Sequence, residues 1–174
     1  VPQPKPAPVP QPNSKIPVAL PGNMDPNMCD RILQLVCIAE NSNVNWTNYY
    51  NYCEDIGDGR GYTISIVGFC SGTGDFIQVL YALKSINPNH LLVKYIPLVE
   101  KVDGTSSTKG LEGLPGDLKK MGSNDKDFNK AAWSIIIKLY WGPAMAYAAK
   151  MGCVTPLTKY VLYDTILNFG DLDG

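Results

Sequence analysis

Apolar positions recur at helical spacing in several stretches of this chain and cluster at strand-like density in one. Asp25-Pro26 offers a cap and a first-turn proline, and Met28, Ile32, Leu35, Val36 and Ala39 then fall at i, i+4, i+7, i+8 and i+11. This spacing predicts an amphipathic helix ending near Glu40. Residues 41–60 lose the periodicity, and their asparagines, tyrosines and the cluster Gly57-Asp58-Gly59-Arg60-Gly61 predict loops and tight turns. Residues 62–69, with Thr63, Ile64, Ile66 and Val67, predict a strand or part of a small sheet. Ser71-Gly72-Thr73-Gly74-Asp75 reads as a helix start capped by Thr73, before Phe76, Ile77, Val79, Leu80, Leu83 and Ile86 at helical spacing. Further helices are predicted over 88–102, 127–140 and 158–169, with a restart at Pro143, while 103–127 reads as a long surface loop. The fold class is α+β, mostly α, with one small β patch and no internal repeat.

Composition narrows the chemistry. Lysine plus arginine (15) nearly balances aspartate plus glutamate (16), so no basic field argues for nucleic acid or an anionic membrane. A single histidine, His90, leaves little room for a multi-histidine metal site or a Ser-His-Asp arrangement, and it reads by default as a surface residue. The most apolar stretch, 131–149, is interrupted by Lys138 and Gly142-Pro143, so no membrane span is expected. Eight of the 14 prolines fall in residues 1–22, which predicts an extended, polyproline-like arm with the folded part beginning near Pro21. Asn45-Trp46-Thr47 is an N-glycosylation acceptor pattern and five cysteines are many for a small cytosolic domain, so the chain reads as secreted and extracellular.

The remaining candidates are carboxylates. Between residues 40 and 75 stand five acids (Glu40, Glu54, Asp55, Asp58, Asp75) and one base (Arg60), a local net of −4. Interleaved with Trp46, Tyr49, Tyr50, Tyr52 and Tyr62, they could hold a cationic, ring-shaped substrate; the plainer alternative is a solvated acidic face. Glu40, at the end of an apolar helix, is expected to be partly buried and to hold its proton, whereas Asp58 in a glycine-framed turn stays ionised. One raised and one ordinary carboxyl is the pairing that glycoside hydrolysis requires, although each residue alone is more commonly a surface acid or turn former.

Ala39-Glu40-Asn41-Ser42, Trp46, the run from Glu54 through Asp58-Gly59-Arg60-Gly61-Tyr62-Thr63, and Gly68-Phe69-Cys70-Ser71-Gly72-Thr73-Gly74-Asp75 resemble, in order and spacing, the signature blocks of glycoside hydrolase family 46, the chitosanases. A weaker similarity continues through Lys94-Tyr95-Ile96-Pro97-Leu98 and Tyr140-Trp141-Gly142-Pro143-Ala144 to Tyr163-Asp164. The resemblance implies a lysozyme-like, two-lobed fold with a cleft between the lobes, and endo-hydrolysis of β-1,4-glucosamine linkages with inversion and without a cofactor. It implies Glu40 as the general acid, Asp58 as the base that activates water, Thr63 as a residue that places that water, and Tyr52, Arg60 and Asp75 as sugar contacts. Cys70 belongs to a family block and reads as a buried free thiol, which leaves Cys29, Cys37, Cys53 and Cys153 for two disulfides of open pairing.

Against the family pattern, the sequence ends at Gly174, and the arginines that link the counterpart of Asp164 to the catalytic glutamate are absent from it. Asp164 is expected to support Glu40 only poorly without them. A second chain or a second copy that completes the large lobe, or a protein without catalysis, are the expected explanations. The apolar run 133–137 reads as core or as cover for an exposed face. The leading expectation is a chitosanase-like hydrolase acting on chitosan. The alternative is a non-catalytic glycan-binding or structural matrix protein derived from one.

Overall fold

The computed structural model describes residues 15–22 and 25–170, which divide into two compact units. The chain up to Val44 joins with Ile136 onward to form the first unit, and Asn45–Ile135 forms the second. The calls on residues 1–14 as a polyproline-like arm lie outside the described residues.

In the first unit, helix α1 spans Pro26–Asn41, begun by the Asp25 carboxylate accepting from the Asn27 N–H at 2.9 Å. It ends where Ser42 turns left-handed (φ 52°) and its N–H closes on the Ile38 carbonyl. Cys29, Ile32, Leu33, Val36 and Cys37 make its buried stripe; of the expected stripe only Ile32 and Val36 belong to it, because the helix turns Leu35 and Ala39 outward and leaves Met28 half-buried. A five-residue π turn at Ile137–Trp141 leads into α6 (Gly142–Lys150), and α7 spans Pro156–Phe169. Gly142 is required at that junction, since a Cβ there would lie 2.5 Å from the Ile137 carbonyl oxygen. Trp141 and Tyr163 pack as tilted rings 5.1 Å apart in the core of this unit.

Residues 15–22 also belong to this packing, so the folded part starts before Pro21. Ile16 and Leu20 are buried, Lys15 pairs with Asp30 at 3.1 Å, and the Pro21 carbonyl accepts from the Trp141 indole at 3.0 Å. The Gly22 carbonyl accepts from the Lys159 ammonium, which ties this strap to α7.

The second unit opens with a 3₁₀ turn at Trp46–Tyr49 and a three-stranded antiparallel sheet of β1 (Cys53–Asp55), β2 (Tyr62–Ile64) and β3 (Phe69–Cys70) in order β1-β2-β3. The predicted strand over 62–69 is thus a hairpin: Ser65 (φ 66°) and Gly68 (φ 71°) take left-handed backbone and turn the chain between β2 and β3. β1, hidden among polar residues, carried no alternation to announce it. Helix α2 (Phe76–Ile86) is capped by Asp75 and not by Thr73, whose hydroxyl instead donates to the Asp75 carboxylate. The predicted 88–102 helix is a 3₁₀ turn at Leu91–Tyr95 followed by α3 (Ile96–Val102).

The expected surface loop at 103–127 contains α4 (Leu114–Met121), started by Pro115 and held by the buried Leu111, Leu114 and Leu118. Its Asp117 is buried too, accepting from Tyr95 at 2.7 Å and pairing with Lys94 at 2.7 Å. Helix α5 (Lys126–Ile136) then carries Trp133, Ile135 and Ile136 into the core, which answers the question of the 133–137 run.

No disulfide forms among the described cysteines: Cys29, Cys37, Cys53, Cys70 and Cys153 are all free, contrary to the expected two bridges. Cys70 is the buried thiol expected of it and donates to the Gly68 carbonyl at 3.3 Å. His90 is not a surface residue. Its side chain is buried, Nδ1 accepts from the Leu92 N–H, and Nε2 lies 3.3 Å from the Asp125 carboxylate that caps α5 at Phe128.

Candidate active site

In the second unit, the loop from β1 to β2 presents Asp58 to solvent. The Asp55 carboxylate accepts from the Gly57 N–H at 3.0 Å and the Asp58 carboxylate from the Arg60 N–H at 3.0 Å, two successive side-chain-to-backbone turns that the glycines make possible. Gly61 is the fixed point of this loop. It takes φ 78°, and a Cβ there would meet the Ser71 hydroxyl at 2.3 Å, the same hydroxyl that accepts from the Tyr62 N–H.

The Arg60 guanidinium folds back on Asp58, with Nε and a terminal nitrogen donating to one carboxylate oxygen at 2.8 and 2.6 Å. Its charge and donors, with the backbone N–H, hold the Asp58 carboxyl below the ordinary carboxylate range. Asp58 is therefore ionised as expected, and Arg60, expected as a sugar contact, directs two guanidinium donors and its backbone N–H at Asp58.

Thr63 sits at the centre of the sheet, opposite Glu54 on β1 and Cys70 on β3. Its hydroxyl oxygen is buried, with the Cys70 thiol as its polar neighbour on the paired strand. Tyr52 donates to Glu54 at 3.0 Å and lies against Tyr49, ring centroids 6.3 Å apart.

Asp75 is mostly consumed by structure. One carboxylate oxygen accepts from Cys70 N–H, Phe76 N–H and the Thr73 hydroxyl at 2.8–2.9 Å, while burial pushes its carboxyl above the usual range. The aromatic cradle is smaller than expected, because Trp46 and Tyr50 are core. The Trp133 indole donates to the Tyr50 hydroxyl at 2.6 Å, and Trp46 packs edge-on to Trp133 at 6.2 Å. Tyr49, Tyr52 and Tyr62 stay partly exposed.

In the first unit, Glu40 lies in the last turn of α1 and is exposed, so the expected partial burial is not found. Among the described residues no ion pair engages it or Asp164. Asp164, on α7, and Glu40 both act on the half-buried Tyr160, where burial first and then these two negative charges hold the phenol proton on. Tyr160 was not singled out from the sequence. Its signal was available, one helical turn before Asp164 on a face that meets α1. Asn45 is exposed and begins the second unit. No group of three or more histidine, cysteine or acidic side chains suited to a metal occurs among the described residues.

These residues fall within a match to glycosyl hydrolase family 46 that extends over residues 34–174. Similar proteins include chitosanases from Nocardioides sp., 37% identical over 165 residues, and Streptomyces sp., 39% identical over 148. The first match takes in 95% of this chain and 59% of the relative, the second 84% and 52%, so the chain spans little more than half their length. Among solved structures, a chitosanase complex superposes with TM-score 0.80 at 34% identity, covering 86% of this chain and 63% of that one. A Gynuella sunshinyii chitosanase bound to chitotetraose superposes with TM-score 0.78 at 30% identity, covering 87% and 62%. With the family's model matching residues 34–174 and a family structure superposing on 86% of the chain, the chain belongs to glycoside hydrolase family 46.

Proposed function

We propose that this protein is an extracellular hydrolase of chitosan that cleaves β-1,4-glucosamine linkages within the polymer by inversion, with Glu40 as general acid and Asp58 as general base. The observation that carries the proposal is the Asp58 loop: a solvent-facing carboxylate held ionised by Arg60, ahead of the strand that carries Thr63. Water held by Thr63 and deprotonated by Asp58 attacks the anomeric carbon while Glu40 protonates the leaving oxygen; each such proton transfer is worth roughly 10²–10⁴ in rate. Tyr52 offers a ring face to a sugar, and the negative field of Asp58, Glu54 and Asp75 favours a protonated amine over an acetamide. The chitotetraose bound to the Gynuella sunshinyii relative supports this substrate class.

A second reading is favoured by one specific observation, the absence of any cation at Glu40 or Asp164 among the described residues. In that reading the chain binds a glucosamine polymer without cleaving it.

The deciding experiment is release of new reducing ends from highly deacetylated chitosan beside the Glu40→Gln variant. Hydrolysis lost in the variant is the expected result. Chitosan binding without hydrolysis overturns the enzyme.

A further inference from the structure

Asn45-Trp46-Thr47 takes no part in the proposed reaction, and it is the one Asn-x-Ser/Thr pattern with x other than proline in the 174 residues. We infer that Asn45 carries an N-linked oligosaccharide, attached before the second unit folds. This rests on the extracellular reading above, because only a chain that enters a secretory compartment meets the transferase.

The folded structure leaves room for the product. Asn45 is exposed, lies in the connection between α1 and the 3₁₀ turn, and its side chain does not cap that turn. The oligosaccharide would stand five residues beyond Glu40 along the chain, outside the loop and strand that hold Asp58 and Thr63.

The same structure fixes when attachment must happen. Trp46, the middle residue of the pattern, is 3% exposed, tilted on Tyr50 at 5.8 Å and edge-on to Trp133 at 6.2 Å. Thr47 is wound into the 3₁₀ turn. A transferase that must grip asparagine and threonine on an extended strand cannot do so while Trp46 is in the core. Trp133 is made 83 residues after Tyr50, its hydrogen-bond partner. At 5–20 residues per second, the pattern stays free of that partner for roughly 4–17 s during synthesis.

In the transfer, the Asn45 side-chain nitrogen attacks the anomeric carbon of a lipid-diphosphate-linked oligosaccharide. The carbon–nitrogen bond forms, the bond from that carbon to the diphosphate oxygen breaks, the lipid diphosphate leaves, and one amide proton passes to a base of the transferase.

The test expresses the full chain behind a cleavable signal peptide in a yeast secretory host. The expected secreted protein runs as a discrete heavier band that collapses on treatment with peptide N-glycosidase, and intact mass places the resulting deamidation at position 45. Asn45→Gln and Thr47→Ala both abolish the shift, Thr47→Ser keeps part of it, and Asn45→Gln retains reducing-end release where the wild type has it. In vitro, purified oligosaccharyltransferase with its lipid-linked donor modifies the heat-unfolded chain and leaves the folded chain unmodified. Secretion at the bare polypeptide mass overturns the proposal while sparing the extracellular reading. Retention of the protein inside its own source cells overturns that reading instead. Equal modification of folded and unfolded chain overturns the order of events.

Discussion

The two candidate carboxylates are built in opposite ways. Asp58 arrives with everything that sets its charge: Arg60 two residues on supplies three donors, and the loop is fixed to Ser71 through Gly61. Glu40 stands exposed at a helix end, and Asp164, whose charge acts with that of Glu40 on Tyr160, is a second negative charge. A base can be assembled from one short stretch of sequence. The acid here depends on groups that are distant in sequence.

The largest effect expected is on turnover. Glu40→Gln and Asp58→Asn should each lower the rate of reducing-end release by about 10²–10⁴-fold if the two act as acid and base. Should Glu40→Gln be silent while Asp58→Asn is not, the acid lies elsewhere and the comparison breaks.

Next in size is the strap. Deleting residues 1–22 removes the burial of Ile16 and Leu20, at about 1.5–3 kcal/mol each, whereas deleting 1–14 keeps it. Thermal melts should separate the two deletions clearly. Hydrogen exchange should rise in α1 and α7 and stay unchanged in the sheet, which sharpens the contrast between the two units.

A smaller effect tests Arg60 as the guardian of the base. Because Arg60 holds the Asp58 carboxyl below its ordinary range, the base keeps its charge as pH falls, and this share of activity disappears only when pH drops through the lowered value. Arg60→Gln returns the carboxyl toward the ordinary range. The acid limb of kcat/KM should then move to higher pH, about tenfold in rate on that limb for each unit of pKa moved, with a much smaller change near pH 7. An unmoved limb would make Arg60 a sugar contact only.

The smallest is Ser65→Gly. Ser65 is buried, carries an unpaired hydroxyl and takes φ 66°, so glycine should raise the melting temperature by the equivalent of roughly 1 kcal/mol in a differential scanning measurement.

The sequence was most readable where structure is local. The span of α1, the Asp25 cap and the glycine-framed Asp58 turn all follow from residues within a few positions of one another, whereas the face that α1 buries was set by its tertiary neighbours. Thr73 against Asp75 as the cap of α2 was misjudged because the hydroxyl and the carboxylate both suit the role, and the carboxylate also collects the Cys70 and Phe76 N–H groups. Trp46 and Tyr50 looked like a sugar platform because nothing near them in sequence reveals Trp133, which buries both. The burial of His90 beside Asp125 and the free state of all five cysteines were likewise set by tertiary neighbours. Helix α4 was lost among glycines and lysines, although Pro115 and the Leu111, Leu114, Leu118 spacing were there to be read.

The most direct test of the acid–base account is the anomeric form of the product. Proton NMR spectra recorded during the first minutes of hydrolysis of a glucosamine hexamer distinguish the new reducing ends before they mutarotate. Water activated by Asp58 and protonation by Glu40 in a single displacement predict α ends first. Ends that appear first as β, or no hydrolysis of the hexamer at all, would contradict it.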